Sequence, residues 1–367
     1  MRTFFVSILI CVLLPTCFAP HLLAQTDAET RQMILEQLMI DAENWKNQGN
    51  VDIVVQKYET ALKVEKGYLP AVEALMPIYM SQKEYTKLND LCEKMLSLYD
   101  DSEKLGNVYV AYGACLEALG KRDDAINMYQ RGIRYAPKHY PLYYNQAIMF
   151  MESGEWEFVE GLLQKTVVIE PRIPEAHKFL GMIHYNKGNR IPALLAWARY
   201  LILEPEGKDA AVVLEAFNAL LDGSPYIDKD STVIMISPEL VEMQWQERSR
   251  THDFYAVDLA YSVMLTQLVE PISKRQTPPN TLLPKMGALL HLLQFEYDKH
   301  WGFYWDYYVP YYIKMDEKGL LGTFCHILYV HTRKTYIDQW IQDNRNDFEA
   351  FYQWSERYPW PRNLQIR

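Results

Sequence analysis

Between Gly106 and Pro205 small, apolar and helix-ending positions recur in three blocks at one spacing. Gly113, Gly120, Ala125, Tyr129 and Pro137 mark the first block. Ala147, Gly154, Val159, Leu163 and Pro171 mark the second, and Gly181, Gly188, Ala193, Trp197 and Pro205 the third. Every marked position stands 34 residues from its counterpart. That period is one helix–turn–helix unit, which is too thin to bury its own apolar face and must lean on a neighbour.

Each mark has a steric reason. Gly113 and Gly181 predict close approach of two helices, with Ala147 as the small substitute. Gly120, Gly154 and Gly188 predict the end of each first helix, where positive φ is needed. Ala125 and Ala193 let the second helix lie against the first. Tyr129, Leu163 and Trp197 are expected to fill the gap towards the next unit. Each proline ends the second helix, because it lacks the N–H that would continue it.

With these residues in phase the stretch resembles the tetratricopeptide repeat, whose W-x2-L-G-x2-Y…A-x3-F…P pattern it follows in degenerate form. Extending the register upstream places Ala42, Trp45, Gly49, Tyr58 and Ala61 in a copy at 35–68. Leu75, Tyr79 and Cys92 fall in a copy at 69–102, where a lysine replaces the turn glycine. A three-residue insertion, Glu103–Leu105, separates it from the next. The expectation is an all-α fold: a solenoid of five helix hairpins at 35–68, 69–102, 106–139, 140–173 and 174–207. An apolar helix at Lys208–Leu221 is expected to cover its open end.

After Asp222-Gly223-Ser224-Pro225 the period is gone. Ser237-Pro238-Glu239 reads as a helix start, with a hydroxyl cap, proline at the first position and an acid in the first turn. Residues 252–270, 282–299, 304–315, 318–331 and 333–358 carry helix-length apolar patterning, Thr277-Pro278-Pro279-Asn280 reads as a loop, and no strand pattern stands out. Three parts follow: an export signal at 1–25, the solenoid with its covering helix at 26–221, and a C-terminal helical, aromatic-rich domain at 222–367.

Arg2, the apolar run Phe4–Leu14 and Ala24 form the export signal, with cleavage leaving Gln25 first. The alternative is a lipoprotein signal acylated at Cys17, for which the preceding Thr16 is a poor fit. Beyond Gln25 no apolar run reaches the ~18 residues a membrane-spanning helix needs. Net charge is −10, which disfavours nucleic acid as a partner. Cys92, Cys115 and Cys325 are no disulfide framework; a Cys92–Cys115 bridge and free core thiols are both open.

In the repeat family the first helix of each unit lines the ligand groove. The resemblance therefore implies a groove over the last two repeats made by Tyr144, Ile148, Met151, Met182, Tyr185 and Asn186. Such an apolar surface suits a helix or an extended peptide with apolar anchors. The competing reading fills this groove with the protein's own C-terminal helices. Lys/Asn pairs that clamp a C-terminal carboxylate in some relatives are absent in register.

Trp301–Tyr312 holds eight aromatic residues in twelve. It reads either as a stacking platform for sugar rings or as a core helix. Catalytic and cofactor signals are sparse. Cys325, His326 and His331 do not converge on one helical face. His291, His300, His326, His331 and Asp306 show no local metal spacing. The resemblance implies a non-enzymatic scaffold, without cofactor or metal, that binds a protein or peptide in the bacterial envelope, in the periplasm or at an outer-membrane complex. The alternative is glycan binding through 301–312, as in outer-membrane starch-binding proteins, which are longer and carry insertions this chain lacks.

Overall fold

A computed structural model describes residues 19–99, 102–223, 226–228, 231–233, 254–273 and 277–364. The export-signal reading rests mainly on residues 1–18, which lie outside the described residues, as does the helix start at Ser237-Pro238-Glu239. The chain divides into two compact units, Met1–Ala136 and Pro137–Arg367.

The first unit is three helix hairpins packed in sequence: α1 (Ala19–Asn47) with α2 (Val51–Val64), α3 (Leu69–Ser81) with α4 (Tyr85–Leu98), and α5 (Gly106–Ala118) with α6 (Arg122–Tyr135). Most helical positions marked by the register are buried, among them Ala42, Tyr58, Ala61, Leu75, Tyr79, Cys92, Ala125 and Tyr129, while Trp45 is half-buried and the turn residues Gly49 and Gly120 are exposed. The Glu103–Leu105 insertion forms a single 3-10 turn before α5. Polar links join successive hairpins. Tyr79 donates to Glu59 at 2.9 Å, and Asn107 donates to Glu73 at 2.6 Å. Cys92 and Cys115 are both buried free thiols.

The hairpin turns adopt the left-handed conformation the glycines predict: φ is 75° at Gly49, Gly120 and Gly154 and 72° at Gly188. At Gly120 the turn closes by Gly120 N donating to Glu117 O and Lys121 N to Leu116 O. Lys83 takes the same conformation, at φ 59°, and closes the same pair of bonds with Glu84 N on Tyr79 O. The turn geometry thus overrides the residue's own preference.

The second unit continues with hairpins α7 (Tyr140–Met151)/α8 (Trp156–Ile169) and α9 (Pro174–Asn186)/α10 (Arg190–Leu203), followed by α11 (Ala210–Asp222). Each second helix stops two residues before Pro171 or Pro205. Helix α11 packs on α10 through Ala210, Val213, Leu214, Phe217 and Leu221, as a covering helix would.

Two strands, β1 (Tyr226–Asp228) and β2 (Ser231–Val233), pair antiparallel, a small departure from the all-α expectation. They are too short to carry the alternation that signals a strand in sequence. The rest is helical: α12 (Tyr255–Ser273), α13 (Pro278–Glu296), α14 (Phe303–Tyr307), α15 (Val309–Glu317), α16 (Leu321–Ile327), α17 (Thr335–Asp343) and α18 (Arg345–Glu356). Several expected helices are broken: 304–315 at Tyr308, ahead of Pro310, and 333–358 at Asn344. The segment read as a loop at 277–280 starts α13 instead. Thr277 is its N-cap, and Pro278 and Pro279 occupy positions where a missing N–H costs nothing.

Candidate functional site

The second unit has two helical faces with opposite fates. One is built by the second helices of its hairpins, α8 and α10, together with the buried side of α9, and the C-terminal aromatic segment covers it. Tyr307 Oη donates to Val167 O of α8 at 2.7 Å, and Tyr312 Oη donates to Leu195 O of α10 at 2.8 Å. Tyr308 reaches His177 Nδ1 at 2.6 Å, while His177 Nε2 lies 3.0 Å from Pro171 O. Burial, with the nearby Arg199 charge, holds the His177 imidazole down to about 3, so the ring is neutral at ordinary pH.

Tyr304 donates to Glu160 Oε1 at 3.3 Å. The same carboxylate takes His184 Nε2 at 2.9 Å and Lys187 Nζ at 2.8 Å. Burial would raise the Glu160 carboxyl, but the His184 and Lys187 partners outweigh it and hold the group at about 2.

This packing decides the character of the aromatic segment. Tyr304, Trp305, Tyr307, Tyr308, Tyr311 and Tyr312 are fully buried, and of the aromatic run only Trp301 is exposed, at 47%. Their rings stack on one another and on Phe254, Trp354 and Trp360. The sugar platform expected as an alternative is therefore corrected: a ring whose faces are taken by neighbouring rings has none left for a ligand. The tyrosine hydroxyls turn to backbone carbonyls and to side chains inside the unit.

The other face belongs to the first helices, α7 and α9, and to α11, which extends their register. Tyr144, Lys178 and Val212 are equivalent positions, as are Ile148, Met182 and Ala216. Here the side chains are open. Ile148 is 36% exposed, Tyr185 48% and Val212 69%. Asn186 is exposed, and Tyr144, Met151 and Met182 are half-buried. Tyr185 leans on Trp197, ring centroids 5.3 Å apart. Lys178 is paired with Asp209 at 2.6 Å, which leaves the exposed Glu175 carboxylate beside Tyr144 as a charge on this face. Burial and the nearby Glu175 carboxylate push the Tyr144 hydroxyl up to about 12, which keeps it a neutral donor.

The reactive candidates are placed apart. Cys325 is buried, which pushes its thiol up and disfavours the thiolate. His326 stacks on Trp340 at 3.9 Å with Nδ1 2.8 Å from Gly322 O. His300 stacks on Trp305, and Asp306 accepts from Gly302 N to cap α14. Among the described residues no three metal-ligating side chains converge. Sequence reasoning missed Glu160, His177, His184 and Arg199. A signal existed for the last: Arg199 is the lone charge in the run Ile191–Leu203, of which 191–202 is buried throughout. His177 and His184 stand seven apart on one face of α9, a spacing that marks a shared partner.

An α-solenoid of helix hairpins with one open first-helix face is what the geometry defines. No protein-family model and no curated protein matches the chain. Among solved structures, PilW, a type IV pilus biogenesis factor, is 18% identical with a TM-score of 0.42, covering 57% of this chain and 98% of its own. A tetratricopeptide repeat protein from Parabacteroides merdae is 12% identical at TM-score 0.39, over 81% of this chain and 99% of its own. YrrB, described as a tetratricopeptide protein with an unusual peptide-binding site, is 17% identical at TM-score 0.36, over 49% and 90%. The last two are described as tetratricopeptide proteins, and with scores this low the fold rests on the hairpin geometry itself.

Proposed function

We propose that the chain is a non-enzymatic scaffold that holds a protein partner through a peptide segment. The partner lies across Tyr144, Ile148, Met151, Met182, Tyr185 and Asn186. One observation carries this reading: the C-terminal half packs on the α8 and α10 face and leaves these six positions open or half-open. Against the competing idea, that the protein's own C-terminal helices fill this groove, stands the use of the aromatic segment on α8, α10 and the buried side of α9. Apolar anchors spaced one helical turn apart suit an amphipathic helix or an extended apolar peptide. Residues held by packed helices present those anchors without an ordering cost at binding.

The place of action in this reading is the bacterial envelope, in the periplasm or with an outer-membrane complex. Its support is the Arg2, Phe4–Leu14 and Ala24 pattern; the described helices include none long and apolar enough to cross a membrane.

The test is selection of a displayed random-peptide library against the purified chain, followed by titration of the selected peptides. Wild type is compared with a chain carrying Ile148→Glu, Met182→Glu and Tyr185→Ser. Peptides with apolar anchors are expected to bind wild type and to lose at least tenfold affinity for the triple variant. Equal binding to both chains, or no enrichment, overturns the proposal.

A further inference from the structure

Among the described residues, the second unit buries a cation without a counter-charge. Arg199 on α10 is 1% exposed. Its guanidinium carbon lies 5.2 Å from the Tyr311 ring centroid and 5.0 Å from that of Trp360. One terminal nitrogen donates to Ser355 Oγ at 2.8 Å and to Tyr311 Oη at 3.3 Å. Among the described residues no carboxylate stands within ion-pair distance, and Nε has no acceptor at all. A buried charge is ordinarily paired, and a guanidinium offers five N–H donors in a fixed fork. Neutral hydroxyls satisfy part of that fork and the two ring faces offset part of the charge, but no anion among the described residues balances it.

The same arginine lines a cavity of about 420 Å³. Its walls are apolar on one side, from Val168, Pro171, Pro359 and Trp360, and basic at the mouth, from Arg172, Arg357 and Arg362. Glu170 and Glu356 are the acids that line it, and Glu170 is engaged by Arg172 at 2.8 Å. With the Arg172–Glu170 pair set aside, three guanidinium groups face one carboxylate. The volume falls in the range of small-molecule sites, and the lining is more charged than is usual for them.

We propose that this cavity is a binding site for a small oxyanion ligand, a carboxylate or phosphate carried on an apolar body. The anionic end meets Arg199 and Ser355, and the apolar body lies against Trp360 and Pro359. The fork of Arg199 matches the two oxygens of either anion. Rim arginines raise the local anion concentration. The site is independent of the open α7/α9 face and stands or falls without it.

The experiment is calorimetric titration of the full chain at low salt with benzoate, phenyl phosphate and the neutral benzamide, together with the melting temperature of each mixture. Saturable binding of benzoate or phenyl phosphate, with none of benzamide, is expected, and whichever anion binds more tightly names the ligand's charged group. Arg199→Met should weaken that binding at least tenfold and abolish the ligand-induced rise in melting temperature. Arg357→Gln with Arg362→Gln lies at the rim and tests the same point in a chain that keeps its core. It should weaken binding several-fold and steepen with falling salt in wild type only. No binding of either anion to wild type, or binding unchanged in both variants, overturns the proposal and leaves Arg199 as a packing residue.

Discussion

A Cβ placed on Gly181 would overlap the indole of Trp197, the aromatic residue of the partner helix in the same hairpin. Trp197 cannot retreat, since its Nε1 donates to Lys178 O at 3.1 Å and the ring is buried. Gly113 and Tyr129 stand in the same relation, a Cβ falling 2.5 Å from the tyrosine ring. The large residue of each unit therefore presses back on its own first helix, where the sequence suggested a filler between units.

Gly181→Ala should destabilise the chain. Overpacking a filled core costs roughly 1–3 kcal/mol, and the helix propensity of alanine returns up to about 1 kcal/mol. The net loss should be up to about 2 kcal/mol. Gly161→Ala, where an added Cβ meets nothing within 4 Å, should instead stabilise by up to about 1 kcal/mol. Urea denaturation of the two variants checks the sign of each; equal shifts would refute the Gly181–Trp197 contact.

Lys83→Gly should stabilise the first unit. Lys83 holds φ at 59°, a conformation costing a non-glycine residue roughly 1–2 kcal/mol. The extra freedom of glycine in the unfolded chain takes back part of that, leaving a gain of about 0.5–1 kcal/mol. Gly120→Lys, the reverse change at the equivalent turn, should lose a similar amount. Thermal melts of both variants measure it.

Acid should unfold the second unit in two stages. The His177 imidazole lies at about 3 in the folded chain, below its ordinary 6.5. Between those values the unfolded state takes up the proton and the folded state does not. Stability is full above pH 6.5 and falls with acidification by about 1.4 kcal/mol per pH unit. The Glu160 carboxyl, at about 2 against an ordinary 4.5, adds a second proton to that slope below pH 4.5. Glu160→Gln should remove the second stage alone. Denaturation midpoints from pH 7 to pH 3 check this, and a slope unchanged by the substitution below pH 4.5 would contradict it.

Tyr307→Phe and Tyr312→Phe each delete one hydroxyl bonded to a helix carbonyl. Each should cost about 1 kcal/mol, the usual net worth of such a bond, and Tyr307→Phe should cost more than Tyr312→Phe. The residue four positions after Val167 is Pro171, which has no N–H, so Val167 O is left without a donor. Leu195 O lies inside α10 and keeps its backbone bond. Hydrogen exchange should show faster opening of α8 and α10 in the double variant, while α7 keeps its protection.

The repeat was legible because its rules are local. Gly120, Gly154 and Gly188 must turn, Pro171 and Pro205 must stop a helix, and Ala193 must be small, whatever the rest of the chain does. The fate of the aromatic run was not legible for the opposite reason. Tyr307 meets Val167 across 140 positions and Arg199 meets Ser355 across 156, and no short pattern encodes such a meeting. Helix ends within 304–358 were misplaced where Pro310 and Asn344 interrupt apolar runs that alone promise longer helices. The six open positions on α7 and α9 could be ranked by register, but their openness depended on which face the C-terminal half would choose.

That choice has a mechanical consequence. Tyr307 fastens α8 and Tyr312 fastens α10, from adjoining short helices. Stacked hairpins can ordinarily flex about their shared edges like the leaves of a spring. Here a splint runs across the back of two leaves, so the spacing between Ile148 and Met182 is fixed before any partner arrives.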